Sequence, residues 1–192
     1  MAADVNLELR RDLMHSLGLV IPVAYCLLPK ETVLLGMIPI VVVYGGCDLL
    51  RLYHKGFRRF FYRFIGNRLL KPREERNLIG STYFLIGAVL TILLYDKGAA
   101  IPALFIVVLA DIAASEVGSR WGRHEIFDEK TLEGALAFFL TALAIVSLFY
   151  PGPKGWGVGA AFAAAVVETV PLRLDDNLTV SLVAGFVLQM GI

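Results

Sequence analysis

The chain has 192 residues, 57% of them hydrophobic and 18% charged, with a net charge of +1 and a mean hydropathy of +0.70. A soluble domain runs nearer about 45–50% apolar and about 25% charged, and the excess here is gathered into long apolar runs that alternate with short charged segments. This pattern excludes an ordinary soluble fold; it predicts an all-α, polytopic membrane bundle forming one domain over residues 1–192, with no nucleic-acid partner.

Residues 1–11 are polar and lack the apolar core of a removable signal peptide. Seven spans follow, over 13–28, 32–50, 77–95, 99–118, 132–150, 156–172 and 178–192. Several are shorter than the roughly 20 residues that cross a bilayer upright. Pro29, Pro151 and Pro153 stand at span ends, where helices are expected to stop. Cys26 and Cys47 fall inside apolar runs and read as two small buried hydrophobes rather than a disulfide. Between the second and third spans, 51–65 carries Tyr53, Phe57, Phe60, Phe61, Phe64 and Ile65 on one helical face and Lys55, Arg58, Arg59 and Arg63 on the other. That is a basic amphipathic helix lying on the membrane surface, either anchoring on anionic lipid or flanking a lipid entrance.

Nine of the 18 lysines and arginines lie between Arg51 and Arg76, so this connection is expected on the cytoplasmic side. Counting spans outward puts the N-terminus and the loops 119–131 and 173–177 on the same side. His15, Asp48, Asp111, Glu116 and Glu168 each lie near that end of a span. Ionisable groups at such depth cost roughly 2.5–3.5 kcal/mol apiece at a helix centre and persist mostly where they serve a site. A transporter would more often hold them near the midplane. Their position at one surface suits an enzyme that joins a soluble substrate to a lipid headgroup.

Three clusters carry the chemistry. Asp111 shares a helix face with Ser115 and Gly118, and Gly118 and Gly122 repeat at a spacing that serves either plain helix packing or close approach of backbone N–H groups to phosphate. Lys130 and Thr131 open the fifth span, where a lysine opposes the helix dipole and calls for an anion; Glu133 stands three residues on, placed to pair with Lys130 or to hold metal. Glu168 and the run Asp175, Asp176, Asn177 close the set. One of the two aspartates suffices as a helix cap, and the remainder suits a magnesium or nucleotide site.

These motifs, in this order, resemble the dolichol kinase, phytol kinase and CTP-dependent diacylglycerol kinase family of membrane enzymes. Arg10-Arg11-Asp12-Leu13-Met14-His15-Ser16-Leu17-Gly18 is similar to its Arg-Lys-x-x-His-x-x-x-Gly signature, and Asp48-Leu49-Leu50-Arg51 to its Asp-x-x-Arg element. Glu75 or Glu74 followed by Gly80, the stretch from Asp111 to Gly122, Lys130-Thr131-Leu132-Glu133-Gly134, Glu168 and Asp175-Asp176-Asn177 resemble the remaining elements. Ser181 stands where the family usually has a proline.

The resemblance implies transfer of a phosphoryl group from CTP to a membrane lipid alcohol, with a polyprenol or dolichol-type acceptor favoured, diacylglycerol as the alternative, and CDP as the leaving product. It implies Mg2+ or another divalent cation held by Asp111 with Asp176 or Glu133, and by Asp175 or Glu168. It places Lys130 on the triphosphate, with Arg120, Arg123, Thr131, Gly118 and Gly122 near it. Asp111, Asp48 and His15 are the candidates for orienting or deprotonating the lipid hydroxyl, and Arg51, Glu75 and Asn177 complete the polar site. The expected location is a prokaryotic cell membrane with the site facing the cytoplasm. A phosphatidate cytidylyltransferase is the nearest rival, but its Pro-Gly-His-Gly-Gly run has no counterpart near 171–180. A small transporter or scaffold is the non-enzymatic alternative.

Overall fold

The structure is a computed structural model that describes residues 16–64, 72–127, 130–171 and 174–192. Each apolar run becomes one helix. A 3-10 turn over Leu17–Leu19 leads into α1 (Val20–Leu27), followed by α2 (Lys30–Tyr53) and the short α3 (Lys55–Phe64). After a 3-10 turn at Pro72–Glu75 come α4 (Gly80–Leu94), α5 (Lys97–Trp121), α6 (Leu132–Phe149), α7 (Lys154–Thr169) and α8 (Asp176–Gln189). The seven expected spans correspond to α1, α2 and α4 through α8, and the expected surface helix to α3. Among the described residues, α2, α5 and α6 are long and apolar enough to cross a bilayer by themselves, and α1 with its leading turn and α4 are shorter apolar helices. Pro29 and Pro153 precede the first residues of α2 and α7.

Two features depart from the expected pattern. α5 is interrupted by a π-helical turn over Ile106–Ala110, immediately before Asp111. The connection from α5 to α6 holds a small antiparallel hairpin of β1 (Glu125–Phe127) and β2 (Lys130–Thr131), pairing Glu125 with Thr131 and Phe127 with Lys130.

α5 runs through the middle, packed against α1, α4, α6 and α8, while α7 packs against α6 and α8. Its π turn and the alanines Ala99, Ala103, Ala142, Ala160, Ala161, Ala164 and Ala184 form the core. Small side chains let the backbones approach, which is how helices associate where lipid removes the ordinary hydrophobic drive. The outer surface is apolar: Leu35, Val42, Val43, Leu140, Leu148 and Phe162 are all exposed. Cys26 and Cys47 are unpaired and also on this surface, not buried as expected.

At one end the connections α1–α2, α4–α5 and α6–α7 meet the C-terminus of α8. Lys30 donates to the Leu93 carbonyl, Lys97 to the carbonyls of Cys26 and Leu28, and the Gln189 amide exchanges hydrogen bonds with Asp96. Tyr150 donates to the Leu188 carbonyl at 2.8 Å, and Tyr95 donates to the Leu182 carbonyl at 2.9 Å. The opposite end gathers Asp48, Arg51, Glu74, Asp111, Lys130, Glu168, Asp175 and Asp176.

Candidate functional site

The site end is built first by α5 and α6. α5 stops at Gly122, where a β-carbon would lie 2.3 Å from the Gly118 carbonyl oxygen and 2.6 Å from a Thr131 methyl group. Gly134 meets the same threonine, its β-carbon position lying 3.2 Å from Thr131 Oγ1. Thr131 caps α6, its hydroxyl accepting from the Gly134 N–H at 3.2 Å. Gly118 and Gly122 therefore allow the close packing of α5 on the start of α6. The hairpin then delivers Lys130 into the end of the bundle.

Lys130 reaches across to two other helices. Its ammonium donates to Glu168 Oε1 at 2.6 Å, to Asp176 Oδ2 at 3.1 Å and to the Glu168 carbonyl. Glu168 lies at the last turn of α7 and is only 8% exposed. Burial alone would lower the Lys130 pKa, but the Glu168 and Asp176 carboxylates reverse this and hold it above its ordinary value. The ammonium is therefore cationic at neutral pH. Asp175 caps α8, accepting from the Asn177 N–H at 3.1 Å and from its side-chain amide at 2.8 Å. Asp176 is left to face Lys130. Asp111 opens the segment of α5 that follows the π turn, and its charge acts on Glu168 together with those of Asp176 and Lys130. The three carboxylates and the lysine thus come from four separate segments.

A second network lies beside it. Asp48, 2% exposed, and Arg51, 1% exposed, stand one turn apart at the end of α2. Asp48 Oδ1 accepts from Arg51 Nε at 2.7 Å, while Oδ2 accepts from the Ile79 N–H and from Thr82 Oγ1, each at 2.7 Å. Arg51 donates onward to the carbonyls of Glu74 at 2.9 Å and Asn77 at 2.7 Å. Glu74 Oε1 in turn accepts from the Gly80 N–H at 2.8 Å. A β-carbon on Gly80 would lie 3.2 Å from Asn177 Nδ2, so this network abuts the start of α8. The buried charges are all hydrogen-bonded, as burial requires.

Several expectations change here. Arg51 belongs to α2 and is buried against Asp48, so it adds nothing to the exposed basic surface. Of the two adjacent glutamates, Glu74 is buried and bound to Gly80, whereas Glu75 is exposed. Glu133 does not pair with Lys130: it takes the His124 ring at 2.7 Å and the backbone N–H groups of Arg123 and His124. Arg120 pairs with Glu116 on the exposed side of α5, at 2.6 Å. Arg123 is exposed beside it. His15 lies outside the described residues. Sequence reasoning passed over Thr82, His124 and the carbonyls that receive Arg51; the Asp48–Arg51 spacing of one turn was the available signal.

Among the described residues no three His, Cys, Asp or Glu side chains form a ready metal cage. Magnesium commonly uses one or two carboxylates and takes the rest of its shell from phosphate oxygens and water. Among the described residues, Glu168 lies within electrostatic reach of Asp111, Asp176 and Lys130, and these carboxylates supply hard oxygen donors that fit such a partly protein-bound cation.

No protein-family profile and no solved structure matches the chain. It is 29% identical over 190 residues to an uncharacterised protein of Methanocaldococcus jannaschii, covering 95% of this chain and 93% of that one. An uncharacterised protein of Rickettsia prowazekii is 24% identical over 192 residues, 93% of this chain and 92% of its own. The CTP-dependent diacylglycerol kinase 1 of Schizosaccharomyces pombe is 25% identical over 161 residues, spanning 74% of this chain and 73% of that protein. Over most of its length, the chain is thus an all-α membrane protein similar to CTP-dependent lipid kinases.

Proposed function

We propose that the chain transfers a phosphoryl group from CTP to the hydroxyl of a membrane lipid alcohol, releasing CDP. The observation that carries this reading is Lys130 held between Glu168 and Asp176, beside Asp111, at the charged end of a membrane bundle. The likeness to proteins named CTP-dependent diacylglycerol kinase supports CTP as donor and makes diacylglycerol the proposed acceptor. The initial preference for a polyprenol finds no support in those relatives.

Phosphoryl transfer asks the protein for positioning and charge neutralisation more than for covalent chemistry. In this proposal Lys130 exchanges one carboxylate contact for a phosphate oxygen of the nucleotide, and Arg123 lends a second cation at the mouth of the site. Asp176, Glu168 and Asp111 would hold a magnesium ion, which supplies charge neutralisation at the phosphates. Asp111 also orients the lipid hydroxyl and receives its proton. Asp48 is assigned a supporting part instead, because both its oxygens are already engaged by Arg51, Ile79 and Thr82. His15 stays a proposed contributor to the same end. The site is proposed to face the cytoplasm, on the strength of the basic residues between Arg51 and Arg76.

The test is transfer of label from γ-labelled CTP by the purified protein in mixed micelles, with diacylglycerol, a long polyprenol, phytol and farnesol as acceptors. Labelled phosphatidate formed from CTP, uncompeted by excess ATP, is the expected outcome. Equal competition by ATP and CTP, or no labelled lipid with any acceptor, would overturn the reading; a labelled polyprenol alone would return the acceptor to the polyprenol class.

A further inference from the structure

α3 is two-faced in a way that divides its work. Lys55, Arg58, Arg59 and Arg63 occupy one side and are exposed, with no acidic residue anywhere in the helix. The other side is split. Phe61 is buried, its ring 5.7 Å from the Arg51 guanidinium. Phe60, 57% exposed, and Phe57 instead line an open apolar groove of about 440 Å³ with Leu50, His54 and Gly56. Arg58 adds a second tether, donating to the carbonyls of Arg51, at 3.0 Å, and Leu52.

The residue that α3 touches is not a passive one. Arg51 is the only described link joining Asp48 to the carbonyls of Glu74 and Asn77, and Asp48 and Glu74 in turn fix the N–H groups of Ile79 and Gly80. Any force that seats or lifts α3 is therefore applied, through Phe61 and Arg58, to the network that sets the start of α4 against Asn177.

We propose that α3 senses anionic lipid: its basic face seats on the phosphate headgroups of a bilayer, an acyl chain enters the Leu50–Phe57–Phe60 groove, and this docking stabilises the Arg51 network and the 74–82 segment. The occupant is a bilayer surface bearing anionic phospholipid. Charge complementarity selects it, because the groove is apolar and every charged side chain of the helix that carries it is cationic. Arg51 is then a positioning residue that carries membrane composition to the site end. The inference does not rest on the proposed reaction, since it concerns the folded bundle alone.

Hydrogen exchange of the full chain in nanodiscs tests it without reference to activity. In discs containing about 30 mol% anionic phospholipid, the amides of Ile79 and Gly80 should exchange roughly fivefold more slowly than in purely zwitterionic discs. Replacing the exposed cations together (Lys55→Gln, Arg59→Gln, Arg63→Gln) should abolish that difference. Phe61→Leu, a mild change, should keep the lipid-dependent protection of α3 itself but lose it at 74–82. Exchange at 74–82 that ignores lipid charge, or a Phe61→Leu protein that responds like the wild type, would overturn the proposal and leave α3 a surface anchor only.

Discussion

The two ends of the bundle solve the same problem, joining short connections between apolar helices, by opposite means. At the end holding Pro29, Asp96 and Pro153, lysines satisfy carbonyls, an amide meets a carboxylate, and tyrosine hydroxyls close onto α8. Gly185 and Gly191 make room there for Tyr95 and for Tyr150 with Trp156. Lys30, Lys97 and Asp96 each fasten a turn there. At the other end, Glu168 and Asp48 are buried, two carboxylates share one lysine, and an arginine holds a connection from inside the bundle. Burying ionised groups in this way costs several kcal/mol per ion before pairing offsets it. Fastening alone does not need it, as the first end demonstrates, and this difference supports the site proposed at the second.

Substitutions should therefore divide by end. The largest effect is expected from Arg51→Met, which strands Asp48 and the Glu74 and Asn77 carbonyls; a loss of about 3–5 kcal/mol should appear in denaturation of the purified protein. Asp111→Asn comes next. It should lower turnover by ~10²–10³-fold while leaving the melting temperature nearly unchanged, because the amide keeps the shape and loses the charge. Wild-type turnover in that variant would remove Asp111 from the proposed site. Gly122→Ala is intermediate: the clash with Gly118 and Thr131 should cost about 1–3 kcal/mol and shift Lys130 with it, so stability and turnover fall together. At the fastening end, Lys97→Met should cost at most about 1 kcal/mol and leave turnover intact, because its ammonium is exposed. A large loss of activity there would erase the contrast between the ends. Topology sharpens it further: in a Cys26→Ala, Cys47→Ala background, a cysteine at Ser119 should resist an impermeant thiol reagent added to intact cells, and one at Lys154 should react.

The architecture was legible because hydropathy responds directly to the bilayer. The apolar runs located α1, α2 and α4 through α8 to within a few residues, and the phenylalanine–arginine alternation located α3. What stayed hidden depended on which side chain turns toward which. Lys130 and Glu133 are three residues apart in sequence, yet the hairpin sends one to Glu168 and Asp176 and leaves the other with His124. Glu74 and Glu75 differ in role only because the 3-10 turn points the former toward Gly80. Arg51, counted by sequence both with the basic connection and with the polar site, is seen to be buried against Asp48 only once α2 continues to Tyr53. The candidate residues were thus recoverable from polarity at one depth, whereas their pairings required the fold.

The π turn at Ile106–Ala110 gives α5 two angular settings. A regular helix advances about 100° per residue, so a turn that carries one extra residue offsets everything after it by about that angle relative to everything before. Ala99 and Ala103 stay aligned with the core, while Asp111, Ala114 and Gly118 are indexed separately onto α6 and the charged end. The helix behaves as two rods coupled by a phase shifter, and deleting any one residue of the turn would bring both halves into one register, swinging the carboxylate away from Glu168 without changing a single residue of the site.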